Sequence, residues 1–212
     1  GISWSFWNYK KMDCTNSPIT FSVPEGWEEL IRWLDEGGQL HAKRAKAIFN
    51  DFLRCIQKGK VNEPVLKALK REVPVKIPCE AYNAYHIVSK KLSGAELRMS
   101  EPVSIIFESG KTGKVSYQRY GGEEQPAEEN LVVHLFSGDR VGYLFYSSER
   151  NEINVQIYAE GEGELSVSVE DDFKTIQVNR KAGYRVVMNC IPCKAQYLWL
   201  SCVNGSITAD YI

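Results

Sequence analysis

Apolar residues recur at helical spacing in the first third of the chain and at alternate positions in the rest. Trp27, Leu30, Ile31 and Leu34 stand at i, i+3, i+4 and i+7, one face of a helix, and Gly37-Gly38 stops it. Ala45, Ile48, Phe49, Phe52, Leu53 and Ile56 form the apolar stripe of a second helix over 41–57, which Gly59 ends. Asn62 is a candidate cap for a short third helix over 63–71, with Pro64 in its first turn. At Val73-Pro74 the texture changes. Val141, Tyr143 and Phe145 alternate with other residues, as do Ile153, Val155 and Ile157, then Leu165, Val167 and Val169. Leu198, Leu200 and Cys202 follow the same rule, and so do Ile207, Ala209 and Tyr211. Many short runs of period two predict an antiparallel sandwich. Gly161-Glu-Gly163, Asp171-Asp172, Gly183 and Asn204-Gly205 are the expected turns. Residues 90–100 and 121–130 are polar and read as loops, and no internal repeat is visible.

Composition narrows the function classes more than it names one. The 212 residues are 43% apolar, ordinary for a globular chain, with a net charge of −1. Residues 1–72 carry 12 Lys and Arg against 9 Asp and Glu, and the remainder 14 against 18. Neither part is polarised enough for a nucleic acid or an anionic membrane. No stretch reaches the roughly 18 apolar residues of a membrane span. No signal peptide is visible, and the chain opens on Gly1 rather than Met. Of the six cysteines, Cys190-Ile-Pro-Cys193 alone has CxxC spacing, and structural zinc needs four ligands. His41, His86 and His134 are not paired at ligand spacing, so buried thiols or one disulfide in an extracytoplasmic protein are the expectation.

The opening run, Gly1-Ile-Ser-Trp-Ser-Phe-Trp-Asn-Tyr-Lys, resembles the eighth strand of family 5 glycoside hydrolases. Such a barrel needs about seven more strand–helix units. The resemblance therefore implies that residues 1–73 are the end of a (β/α)8 barrel with a helical appendix, the tail of a larger enzyme. It implies that Trp7 floors the sugar subsite where the bond breaks, with Asn8 and Lys10 near the strand's C-terminal end. It also implies that the two catalytic glutamates of a retaining β-glycosidase, about 5–5.5 Å apart, lie on strands preceding Gly1. Glu28-Glu29 and Asp171-Asp172 match neither glutamate motif and read as solvated charges. No catalytic residue is expected in this chain.

Residues 74–212 resemble a family 6/35 carbohydrate-binding module, a jelly roll. The resemblance rests on Ile77-Pro-Cys-Glu-Ala-Tyr82, on Gly138-Asp-Arg-Val-Gly-Tyr143, on Ala182-Gly-Tyr184, and on Tyr197-Leu-Trp-Leu200 through Gly205-Ser-Ile-Thr-Ala-Asp-Tyr-Ile212. Arg140 stands where an aromatic residue is usual, and Pro78 replaces a usual acid. The resemblance implies two ring faces gripping a pyranose in the loops at one end, here His134 and Tyr184, with a polar partner at Asn204 or Thr208. It implies a structural Ca2+ held by Glu80 and Asp210, since calcium takes six to eight oxygens. Tyr117 and Tyr120 are a further aromatic pair, more commonly cross-strand packing.

The sequence thus predicts a mainly β protein: an antiparallel jelly-roll β-sandwich preceded by a small helical segment from a barrel's end. The expected role is the non-catalytic C-terminal portion of a secreted, extracytoplasmic bacterial glycoside hydrolase, its sandwich binding polysaccharide or oligosaccharide weakly. The missing N-terminal barrel would be its partner. Two alternatives stay open. The sandwich only braces the barrel, or the chain is a free-standing lectin-like protein.

Overall fold

The computed structural model describes residues 10–116 and 129–212. Trp7 and Asn8 lie outside the described residues, as do Tyr117 and Tyr120. The chain divides into two compact units, Gly1–Leu69 and Lys70–Ile212.

In the first unit, strand β1 (Lys10–Met12) runs parallel to β2 (Ile19–Phe21), which pairs antiparallel with β3 (Lys60–Val61). Helices α1 (Trp27–Glu36) and α2 (Ala42–Gln57) appear where the apolar stripes predict them, and α3 (Glu63–Lys70) follows Asn62 with Pro64 in its first turn. His41 caps α2 by accepting from the Lys43 N–H, satisfying a donor the helix cannot pair itself. The Asn62 side chain instead donates to the Thr15 carbonyl, and the Asn62 carbonyl accepts the Leu66 N–H at the start of α3. Packing centres on Phe52, which Trp27 stacks on at 5.4 Å and Phe21 meets edge-on at 5.9 Å. Ile48 is the one buried residue of α2, and α1 buries none. Ile31, Leu34, Phe49 and Leu53 of the predicted stripes stay exposed.

The second unit is an antiparallel β-sandwich. Its strands are β4 (Ala84–His86), β5 (Ser104–Phe107), β6 (Leu131–Phe136), β7 (Arg140–Ser147), β8 (Glu152–Val169), β9 (Asp172–Val178), β10 (Ala182–Asn189) and β11 (Lys194–Tyr211). One layer has the order β10-β8-β11-β6-β5. The other takes β9, β8, β11, β7 and β4 in turn. The long strands β8 and β11 belong to both, because each bends halfway. Residues 152–159 of β8 pair with β10, whereas residues 163–169 pair with β9. Residues 194–201 of β11 pair with β7 and residues 206–209 with β6.

Glycine makes the bend possible. Gly205 sits at φ +80° and Gly161 at φ +133°, conformations that side chains disfavour. A Cβ at Gly205 would collide with the Glu162 carbonyl oxygen, and one at Gly161 with that of Ser206. This corrects the expected turns. Gly161-Glu-Gly163 and Asn204-Gly205 lie inside the two 18-residue strands, where these pair with each other, and Gly183 lies inside β10. Only Asp171 occupies a tight connection, between β8 and β9.

Between the layers, the alternating residues form a closed core. Val133, Leu135, Val141, Leu165, Val167, Leu200, Ile207 and Ala209 are all buried. Tyr143 is buried among them and satisfies its hydroxyl by donating to the Cys79 carbonyl at 3.0 Å. The Asp139 carboxylate ties the β6–β7 turn to the segment before β5. It accepts the N–H groups of Val88, Ser89 and Phe136 and the Ser89 hydroxyl. All six cysteines are free thiols.

Candidate functional site

Strand parity decides which side chains can meet. Residues directly opposite on antiparallel strands share a face. His134 lies opposite Thr208 on one side and Ser104 on the other, and all three point away from the core that Val133, Leu135, Ile207 and Ala209 fill. Tyr184 lies opposite Ile157, which is fully buried, and its ring packs on the core. His134 and Tyr184 are therefore on opposite faces of the same sheet, and the structure does not bring them together around a pyranose. The Tyr184 hydroxyl donates to the Arg180 carbonyl at 2.8 Å, closing the connection from β9 to β10. Asn204 sits at the strand bend with its amide donating to Glu164. Lys10 is exposed on β1.

A cleft of about 300 Å³ opens on the outer face of the layer β10-β8-β11-β6-β5. Ile106 and Val132 give it an apolar side, Tyr158 a ring, and His134, Thr208 and Asp210 a polar floor. Glu160, Glu108 and Lys181 stand at its edge, with Glu108 and Lys181 joined as an ion pair. Tyr158 stacks on Tyr211 with 5.4 Å between centroids and planes within 4°. The Lys76 ammonium lies 3.7 Å from the centroid of Tyr211. The resemblance assigned His134 and Thr208 to a sugar site in the loops and Asp210 to a separate calcium site, whereas all three line this one cleft on the sheet face. Tyr158, Glu108 and Lys181 were missed.

Electrostatics in the cleft are uneven. Burial lowers the His134 pKa against the weaker pull of Asp139, so the ring is neutral at pH 7. One ring nitrogen is 2.8 Å from the Ser206 hydroxyl, and the other, Nδ1, is buried without a protein partner. The Lys181 and Asn130 hydrogen bonds hold the Glu108 carboxyl below the usual range. Asp210 moves the opposite way, raised first by burial and further by the negative Glu108.

Glu80 belongs to the same neighbourhood. It sits on a 3₁₀ turn, Cys79–Ala81, beside the closing strand, where the Ile77 and Ile212 backbones exchange hydrogen bonds. Burial raises its pKa, and the Asp210 charge adds to the effect. Its Oε2 is buried with no hydrogen-bond partner in the protein. Two raised carboxyls, Glu80 feeling the Asp210 charge and carrying an orphaned oxygen, are a donor set that suits a hard cation. Among the described residues no three His, Cys, Asp or Glu side chains converge at metal-binding distance.

Arg140 meets an aromatic ring on the neighbouring strand. Its guanidinium lies 4.7 Å from the centroid of Trp199, whose ring rests on Gly142 of the neighbouring strand.

No protein-family model matches the sequence, and no curated protein matches it. Among solved structures, the fold is similar to a family 36 carbohydrate-binding module in complex with calcium and xylotriose, with 9% identity, a TM-score of 0.39, and 65% of this chain and 96% of that one covered. It is similar to the C-terminal family 6 module of a laminarinase from Zobellia galactanivorans, with 12% identity, a TM-score of 0.40, and 65% and 94% covered. It is also similar to a family 6 module from Clostridium stercorarium in complex with cellobiose, with 9% identity, a TM-score of 0.39, and 67% and 93% covered.

Proposed function

We propose that residues 70–212 form a non-catalytic glycan-binding module whose sugar lies in the sheet-face cleft against Tyr158. The observation that carries this reading is the composition of that cleft. One aromatic ring, pinned by its stack on Tyr211, stands beside a hydroxyl, carboxylates and an ammonium. An aromatic face suits the C–H side of a pyranose because both surfaces shed water and the ring quadrupole attracts polarised hydrogens. The surrounding acceptors and donors suit its hydroxyls, as in other sites where few polar groups fix orientation. The cleft is shallow and carries one ring, which supports weak binding. Glu80 and Asp210 are the residues that would hold a Ca2+, whose charge would relieve their mutual repulsion.

The exposed apolar residues of α1 and α2 support a first unit that packs on further protein. The reading that fits the opening sequence is the end of a family 5-like barrel in an extracytoplasmic bacterial enzyme. Hydrolysis of a β-linked polysaccharide with retention would belong to that barrel, and the module would raise the local substrate concentration.

Affinity electrophoresis in gels containing soluble glucans and mannans tests the binding claim. Retardation of the wild type is expected, with loss of it in Tyr158→Ala and Glu160→Ala proteins that keep their circular dichroism and melting profile. Absence of retardation by any polysaccharide would leave the module a structural brace.

A further inference from the structure

A second cavity, of about 440 Å³, opens on the far side of the Tyr158–Tyr211 stack, within the same unit. Tyr158 lines the sugar cleft and Tyr211 lines this one. Its floor is the core itself. Ile77, Phe145, Ile153, Val155 and Leu198 face it and retain 3–6% exposure, whereas Leu165, Val167 and Leu200 at the closed end of the sandwich retain none. The cavity lies between the 73–77 segment and the first half of β8.

The rim has a definite chemistry. Lys76, Arg150, Asn154 and Gln156 surround the opening, and no acidic side chain lines it. The Arg150 side chain makes no ion pair or hydrogen bond among the described residues, and Lys76 is held over Tyr211 without a salt bridge. A guanidinium at the mouth of an apolar cavity is built to receive a carboxylate in a bidentate grip. The cavity size falls in the range of sites for small organic ligands, which are mostly apolar with a few convergent polar groups.

We propose that this cavity binds a small amphiphilic anion, an aliphatic or aromatic carboxylate. Its apolar body would enter between the layers against Val155 and Leu198, and its head group would meet Arg150 and Lys76. The site is separate from the glycan cleft, since no lining residue is shared. It stands whether or not the glycan reading holds.

Calorimetric titration of the full chain with octanoate tests this, with 1-octanol as the neutral match and octylammonium as the cationic one. Octanoate is expected to bind at least about tenfold more tightly than octanol, the scale of one charge-assisted contact, with octylammonium weakest. Arg150→Gln and Lys76→Gln should erase that preference while octanol binding persists. Asn154→Trp, at the exposed rim, should block all three ligands without lowering the melting temperature. Chemical shifts of the Val75 and Val155 amides should move on octanoate addition. No heat and no shift change at millimolar octanoate would overturn the proposal. So would octanol binding as tightly as octanoate, or wild-type selectivity in Arg150→Gln.

Discussion

Neutralising Glu80 and Asp210 separates a cation site from a plain acidic pair. Both carboxyls are raised, Glu80 by burial and then by Asp210, and Asp210 by burial and then by Glu108. A carboxyl whose folded pKa exceeds its unfolded value binds more protons in the native state. Its effect on stability is therefore least harmful below the unfolded values, near 4. It becomes increasingly destabilising as pH rises through the folded values. In chelator at pH 7, a Glu80→Gln, Asp210→Asn protein should thus melt higher than the wild type, and at pH 4 the two should converge.

Calcium inverts that order. A cation bound only to the native state stabilises it by about 2.7 kcal/mol at one hundred times its dissociation constant. Extracellular calcium modules bind in the range of about 10⁻⁴–10⁻³ M, so about 10 mM calcium approaches that ratio at the tight end. For a cooperative unit near 140 residues, at about 3 °C per kcal/mol, the wild type should gain roughly 8 °C at pH 7. At pH 4, where the ligands are protonated, the gain should shrink to almost nothing. The double variant should gain nothing at either pH. Differential scanning calorimetry in calcium and in chelator reads all of these. A wild-type shift below about 1 °C at pH 7, or an equal shift in the variant, would refute the assignment of Glu80 and Asp210 as ligands.

Three further outcomes follow from the fold. Gly205→Ala forces a Cβ onto the Glu162 carbonyl at a left-handed φ and should cost about 2–4 kcal/mol in urea unfolding, from strain plus strand displacement. Asp139 is pulled up by burial, but its hydrogen bonds from Ser89, Phe136 and Val88 win, so its pKa is lowered. Its contribution is present above the unfolded value and lost as pH falls through the folded one. Asp139→Asn should cost about 2–4 kcal/mol at pH 7 and flatten the acid arm of the stability–pH curve. Tyr184→Phe, which removes the hydroxyl that donates to the Arg180 carbonyl and accepts from the Asn179 N–H, should leave glycan retardation at the wild-type value while lowering stability by about 1 kcal/mol.

The elements legible in the sequence are those with one face in oil and one in water. Ile153, Val155 and Ile157 alternate because that half of β8 is solvated outside, and the same holds for Leu198, Leu200 and Cys202. The bends were not legible. Gly-x-Gly looks the same in a turn and in a strand that a paired backbone approaches closely, and only the register of β8 against β11 distinguishes them. Tyr184 could have been placed, since Tyr184, Val186 and Met188 share a parity and the last two are apolar. His134 could not, because Val132-Val-His-Leu-Phe136 has no alternation to read. The meeting of Tyr158 on β8 with Lys181 and Glu108, which sit just before β10 and just after β5, joins positions far apart in sequence. The pairing of Glu80 with Asp210 came from family resemblance, and periodicity alone gives no hint of it.

One irregularity ties the candidate sites together. Ala209 lies opposite Ala159, and uninterrupted pairing would then set Asp210 opposite Tyr158. Instead the register slips, and Tyr211 takes that place. A bulge adds one residue to one strand and re-aims the side chains around it, which is why bulges gather at functional sites. Here the slip has three consequences. It lets Tyr211 stack on Tyr158 and fix the ring that faces the outer cleft. It leaves Asp210 in the cleft wall, within electrostatic reach of Glu80 and Glu108. It also puts the second tyrosine beneath Lys76, at the rim of the apolar cavity. A regular strand would keep the core residues where they are, since Ile207 and Ala209 precede the slip, but it would forfeit the stack. The irregularity is therefore hard to explain as a requirement of packing. A binding surface on the outer face gives it a reason.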